Sequence, residues 1–307
     1  MSQLVPPYPL ILNKLNTSKV IPFLGAGASL GGRRPGVIWK HGVKDFLPTA
    51  GELASHLADT TEFPPGESRD LTKVAQYYSV IGGRTALNEE LHNIFNCDYQ
   101  LTSLHTLLAD VAAPLLIVTT NYDDLIERAL DEKNRRSKED ARPYDVVIHT
   151  TEVGKGDRLL WWPYGASEPR AISANKLDID LMERTVVYKM HGAIDRRQPS
   201  RDQYVITEDD YIDFLARMTK NKAIPMIFAE LFQTRHFLFL GYGLNDWNLR
   251  VVLNRIEKDL RRPKGIKSWA IQYQPRPLER RFWQERGVEV YDQLLDEFVE
   301  QLTARRD

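Results

Sequence analysis

Short apolar runs of four or five residues recur along the chain and alternate with stretches whose apolar positions repeat every three or four residues. The runs at 20–24, 115–119, 186–190, 237–240, 268–271 and 288–291 each predict a strand. They are apolar almost throughout rather than at every second position. That is what a strand covered on both faces needs, as in a parallel sheet. Helical spacing is predicted over 8–15, 48–59, 70–79, 85–95, 101–110, 124–132, 207–218, 224–233, 245–260, 277–286 and 293–304. In the second of these Leu53, Ala54 and Leu57 share one face. Thr207 ahead of Glu208, Asp209 and Asp210 is a helix-start signal. Residues 31–45 are rich in glycine and basic side chains and read as a loop, and 144–183 holds short β-like pieces, 146–148 among them. The mixed-charge run 131–142 reads as a solvated loop or helix end. Strand–helix alternation of this kind predicts an α/β fold: a Rossmann-like parallel sheet with helices on both faces and a smaller, mainly helical inserted region. One domain is expected, with its core in about 19–30, 111–132, 186–192 and 236–307 and insertions at about 31–110, 133–185 and 193–235.

Bulk properties narrow the classes. At 307 residues the chain can bury a sizeable core, and its net charge of -1 supplies no global field toward nucleic acid or anionic lipid. Direct nucleic-acid binding is therefore not expected. Cys97 is the only cysteine, so an intrachain disulfide and a multi-cysteine zinc site are excluded, and a reduced, cytoplasmic setting fits. No apolar run approaches the roughly 20 residues of a membrane span, and the first residues lack the pattern of a signal peptide.

Four strand ends carry candidate chemistry, because ligands of open α/β sheets sit beyond the carboxyl ends of the strands. Gly25-Ala26-Gly27-Ala28-Ser29 follows the first strand, where glycines allow a tight turn and a following helix N-terminus could face a phosphate. Leu30 stands where a full dinucleotide fingerprint has a third small residue, so a purely structural turn is an even alternative. Thr120-Asn121-Tyr122-Asp123 follows the second strand, and helix capping by Asn121 or Asp123 is the plain reading there. His191-Gly192 places an imidazole at a third strand end, as a candidate general base or a structural histidine. Gly241-Tyr242-Gly243-Leu244-Asn245-Asp246 follows the fourth, where Asn245 and Asp246 could cap a helix or accept from ribose hydroxyls. Trp161-Trp162 reads as a loop anchor or interface before a stacking platform, and Arg33 and Arg34 as a flexible basic loop or a cover for a cofactor.

In this order the four segments resemble the signatures of the Sir2 (sirtuin) family, over about residues 19–292. Asn121-Tyr122-Asp123-Asp124, Thr207-Glu208-Asp209-Asp210-Tyr211 and the glycine–tyrosine loop ahead of Asp246 resemble, more narrowly, the SIR2-like domains of bacterial anti-phage defence systems. The resemblance implies a SIR2-like catalytic domain that hydrolyses NAD+ to nicotinamide and ADP-ribose and so depletes the cofactor. It also implies a homo-oligomer, with a HerA-type ATPase or an Argonaute-like protein as possible partner. Deacylase sirtuins carry a four-cysteine zinc module after the His-Gly strand, whereas 193–233 here holds no cysteine. NAD-dependent deacylation and a non-catalytic NAD- or ADP-ribose-binding subunit are the alternatives. Carried over by position, Asn121 would hold the attacking water and His191 a ribose hydroxyl or that water. Asp123 would contact the nicotinamide side or orient its loop. Gly25, Ala26 and Gly27 would line the pyrophosphate, with Ser29 on a phosphate or ribose, and Asp246 would take the adenine-side ribose beneath the Gly241–Gly243 turn. This chemistry needs no metal, and no metal-ligand spacing is visible along the chain.

Overall fold

The structure is a computed structural model and describes residues 4–34, 36–139, 141–151, 158–219, 224–242 and 266–306. Nine strands form one sheet: β1 (Val20–Leu24), β2 (Leu116–Thr119), β3 (Tyr144–His149), β4 (Arg158–Trp162), β5 (Arg170–Ser173), β6 (Thr185–Lys189), β7 (His236–Leu240), β8 (Ser268–Gln272) and β9 (Val288–Asp292). Their spatial order is β5-β4-β3-β6-β2-β1-β7-β8-β9. Every pairing from β3 to β9 is parallel, and β4 and β5 add an antiparallel meander at one edge. The six strands from β6 to β9 repeat the doubly wound order, β1, β2 and β6 laid out in one direction and β7, β8 and β9 in the other. Pro22 has no N–H to give, and the β1–β2 register is confined to Phe23 and Leu24, while the β1–β7 register runs from Val20 to Leu24.

The described helices are α1 (Tyr8–Asn16), α2 (Ala50–Thr60), α3 (Leu71–Gly82), α4 (Arg84–Phe95), α5 (Ser103–Ala109), α6 (Leu125–Arg136), α7 (Glu208–Thr219), α8 (Met226–Thr234), α9 (Pro277–Gln284) and α10 (Leu295–Thr303). The helix expected over 245–260 lies outside the described residues. Side chains alternate across each strand, so the apolar runs split into two cores. Ile21, Phe23, Leu116, Val118, Phe237 and Phe239 face Phe214 of α7, Phe228 and Phe232 of α8 and Trp283 of α9. Val20, Leu24, Ile117, Leu238 and Leu240 face Ile11 and Leu15 of α1, Leu108 of α5, Ile126 of α6 and Phe298 of α10. A third core joins α2, α3 and α4 through Leu53, Leu57, Val74, Leu87 and Leu91 and reaches Tyr122, Ile194 and Tyr204. This packing sets the three-helix insertion against the loops that follow β2 and β6.

Two boundaries moved. The helix predicted to end near residue 132 runs to Arg136, so the charge run holds its end, as one of its two readings had it; Lys133, Arg135 and Arg136 favour the negative end of its dipole. No α-helix follows β1: Ala26–Leu30 is a single 3-10 turn, and the next α-helix begins at Ala50. Two consecutive glycines follow, Gly31 in extended backbone and Gly32 with φ +77°, and glycine is a poor helix former. Among the described residues no helix is long and apolar enough to cross a membrane.

Candidate active site

The carboxyl ends of β1, β2, β6 and β7 open into one cavity of about 840 Å³, within the range of sites for cofactor-sized ligands. Ala26, Gly27, Ser29, Asn121, Asp123, His191, Gly241 and Tyr242 all line it. The cavity therefore lies where the strand order reverses, and it gathers the sequence candidates from all four strand ends. Gly25 sits behind the wall, while Gly243 and Asp246 lie outside the described residues.

The glycines after β1 are there for protein, not only for a ligand. The N–H of Gly27 donates to the Gly241 carbonyl at 2.8 Å, and a Cβ on Gly25 or on Gly27 would lie 2.8 Å from that oxygen. Gly241 has φ +70°, and a Cβ on it would stand 2.0 Å from the Ala28 nitrogen. The turn after β7 is thus pressed onto the turn after β1, and Tyr242 closes the contact, its hydroxyl 2.8 Å from Thr120 Oγ1. With a 3-10 turn in place of a helix, the expected helix N-terminus behind Gly27 is missing; the two interlocked turns offer backbone instead. Gly192, with φ +89°, follows the same rule: a Cβ there would meet the Gln203 carbonyl at 2.0 Å.

Asn121 does not cap α6. Its Nδ2 donates to the Gly25 carbonyl at 3.0 Å and to Ser29 Oγ at 3.1 Å. A carbonyl can only accept, so this contact fixes which amide atom is nitrogen. Both amide hydrogens are then spent on protein, and Oδ1 is the atom left to accept from a ligand or water. Ser29 Oγ passes the chain on, donating to Asp123 Oδ2 at 3.0 Å. Asp123 is 6% exposed, and its Oδ1 accepts the Leu125 N–H at 3.1 Å; it lies one residue ahead of the N-cap position, Asp124, which makes no side-chain cap bond. The order Asn121 to Ser29 to Asp123 makes the carboxylate the anchor and the amide the working end. Behind the loop, Lys189 Nζ donates to the Asp123 carbonyl and pairs with Glu127 Oε1 at 3.0 Å. Lys189 is 1% exposed, and burial raises the Glu127 carboxyl above its usual range.

His191 is 3% exposed and packed edge-on against the Tyr211 and Phe214 rings, each 5.3 Å away between centroids. Burial lowers its pKa to about 3, so the imidazole is uncharged at neutral pH. Among the described residues no carboxylate pairs with it in the manner of a hydrolase triad. Trp161 Nε1 donates to Asp145 of β3 at 2.9 Å, tying β3 and β4 together, and Trp162 Nε1 donates to the Ala166 carbonyl at 2.9 Å, anchoring the loop after β4. Arg33 pairs with Glu52 rather than covering the cavity.

Several wall residues had no signal in the sequence. Leu47, Pro48 and Thr49 come from the stretch leading into α2, Leu53 from within that helix, Tyr273 from just beyond β8, and Gln293 and Leu294 from just beyond β9. Thr49 and Glu52 do form a legible capping box, the Glu52 N–H donating to Thr49 Oγ1 at 3.2 Å and the Thr49 N–H to Glu52 Oε2 at 2.8 Å. That box says where a helix starts, not that it borders a cavity.

A doubly wound sheet whose strand ends converge on an amide, a carboxylate and a buried imidazole defines the class: an α/β protein with its site at the topological switch point. Within that class, the chain belongs to the SIR2-like domain family, whose model matches residues 115–291, more than half of the chain. The chain is 29% identical over 217 residues to the NAD(+) hydrolase ThsA of Bacillus cereus (strain MSX-D12), an alignment covering 69% of this chain and 38% of that protein. It is 29% identical over 254 residues to the NAD(+) hydrolase ThsA of Acinetobacter baumannii (strain 532279), covering 80% and 41%. With defense-associated sirtuin 2 of Bacillus subtilis it shares 23% identity over 231 residues, covering 73% and 19%. The chain thus spans about two fifths or less of the length of these relatives.

Proposed function

We propose that this chain is a SIR2-like NAD+ hydrolase that cleaves the nicotinamide–ribose bond. The observation that carries the reading is the placement of Asn121 and His191 on one cavity wall at the switch point of a SIR2-like sheet. In the proposed reaction the C1′–N bond breaks and its electron pair goes to nicotinamide, which leaves uncharged. The positive charge moves to an oxocarbenium-like ribose, as in glycoside hydrolysis. Water then attacks C1′ and gives up one proton, yielding ADP-ribose. Asn121 Oδ1, its amide held by Gly25 and Ser29, accepts from and aims that water. Uncharged His191 accepts from a ribose hydroxyl or the water, and its neutrality spares the cationic ribose a second positive charge. Asp123 acts through Ser29 as a positioning residue. Gly25, Ala26 and Gly27 line the pyrophosphate side, Gly241 and Tyr242 lie toward the adenine-side ribose, and Asp246 remains the candidate for that ribose.

By analogy with its relatives, the chain serves as a NAD-depleting effector of anti-phage defence in the cytoplasm. Residues 1–307 act as one catalytic domain, in a homo-oligomer that a HerA-type ATPase or an Argonaute-like protein switches on. The test is NAD+ turnover by the purified chain, alone and with candidate partners, with molar mass by light scattering. Nicotinamide and ADP-ribose should appear from NAD+ and water alone; turnover only after an acylated peptide is added would mark a deacylase instead. Asn121→Ala and His191→Gln should each lose at least about 10²-fold in rate, the scale of one positioned catalytic group, with thermal melting intact. Full activity in both would sink the assignment.

A further inference from the structure

Away from the cavity, three side chains distant in sequence converge: His41 from the loop between β1 and α2, His56 from α2 and Glu90 from α4. His56 Nε2 lies 2.6 Å from Glu90 Oε1, and His41 Nε2 lies 3.8 Å from the same oxygen. One donor atom from each falls within 4.8 Å of the others. The two imidazoles stack with centroids 4.8 Å apart and planes 5° apart, so both turn a nitrogen edge to one carboxylate. Trp39 meets His56 edge-on at 5.7 Å and walls one side, while His41 is 58% exposed and leaves the other side open to solvent. Among the described residues no lysine or arginine pairs with Glu90.

We propose that His41, His56 and Glu90 bind a divalent late first-row cation, zinc foremost, and that this ion staples the 36–47 loop to α2 and α4. Two imidazoles and one carboxylate, with a fourth position open to water, form a recurrent three-ligand set for zinc. Ligands about 2.0–2.1 Å from a tetrahedral centre stand about 3.3 Å apart, and the separations of 2.6 and 3.8 Å bracket that value. Without a cation only one of the two stacked rings can be charged without repulsion, and both ring nitrogens crowd the same Glu90 oxygen. With a cation all three groups use their lone pairs. The loop so pinned is already fixed at one point: Arg33 pairs with Glu52, which also accepts the Trp39 N–H at 2.7 Å. It continues into Leu47, Pro48 and Thr49, which line the cavity. The ion is structural and independent of the proposed hydrolysis, which needs no metal.

The chain of residues 1–307, stripped with a chelator, is titrated with zinc chloride by calorimetry and followed by melting and limited proteolysis. One equivalent should bind, raise the melting temperature and slow cleavage within the loop. His41→Ala should fold as the parent does, because this side chain is mostly exposed, yet lose at least ten-fold in affinity along with the melting and proteolysis responses. Glu90→Gln should do the same. A parent that binds no zinc, or a His41→Ala/His56→Ala double variant that binds it unchanged, overturns the site.

Discussion

Asn121 carries its role through the atoms it has left. A side-chain amide offers two donor hydrogens and one acceptor oxygen, and sequence alone leaves open which of these meets a ligand. The Gly25 carbonyl and Ser29 take the donors, so the residue works as an acceptor. The same loop explains the glycines. At Gly241 the left-handed backbone and the 2.0 Å approach to the Ala28 nitrogen act together. Gly241→Ala should cost at least about 3 kcal/mol and dislodge the turn over Gly27. Gly287, with φ +71° and open space around it, provides the control, and Gly287→Ala should cost only about 1–2 kcal/mol of left-handed strain. Urea midpoints of the two variants check this; equal losses would mean that the contact between the turns has no energetic weight.

At the scale of elements, β6 and α6 are joined by a buried charge pair. Lys189 ends β6, Glu127 lies in the first turn of α6, and the lysine also holds the Asp123 carbonyl. Losing one partner strands the other in a poorly solvated site. Lys189→Met should therefore destabilise by about 3–5 kcal/mol and loosen the loop that carries Asn121. Adding Glu127→Leu should restore much of the stability, since two apolar side chains can replace a buried pair. Activity should stay low in the double variant, because the Asp123 carbonyl still lacks its donor. A double variant less stable than Lys189→Met in chemical denaturation would contradict this account.

For the molecule as a whole, three buried histidines set an acid limit. Burial lowers His105 to about 4 and His149 and His191 to about 3, against an ordinary value of about 6.5 in the unfolded chain. Below pH 6.5 the unfolded chain therefore takes up protons that the folded chain refuses. Stability is fully present above that pH and falls as pH drops toward the folded values. Each histidine contributes about 1.4 kcal/mol for each pH unit in this window. Between pH 7.5 and 5.5 the three together should remove about 4 kcal/mol, above the range where most carboxylates titrate. Denaturation free energies at the two pH values check it, and an unchanged value would show that these rings reach solvent.

By itself, the sequence determined the alternation of elements, the parallel sheet and the four strand ends that meet at its centre. These are legible because strand burial on both faces and helical periodicity are local patterns, and because strand ends in an open α/β sheet lie on one edge. Thr207 did start α7, with the Asp210 N–H donating to its hydroxyl at 3.1 Å. Tertiary structure alone decided what each polar group faces. Whether Gly27 admits a phosphate or another turn depends on Gly241, more than 200 residues away in the chain. Whether Ser29 is free or held depends on Asp123, and whether His191 is charged depends on the rings of α7 packed around it. The meeting of His41, His56 and Glu90 has no trace along the chain either. Contacts between distant segments follow from how α2, α3 and α4 pack over the strand ends, and no local pattern encodes that packing.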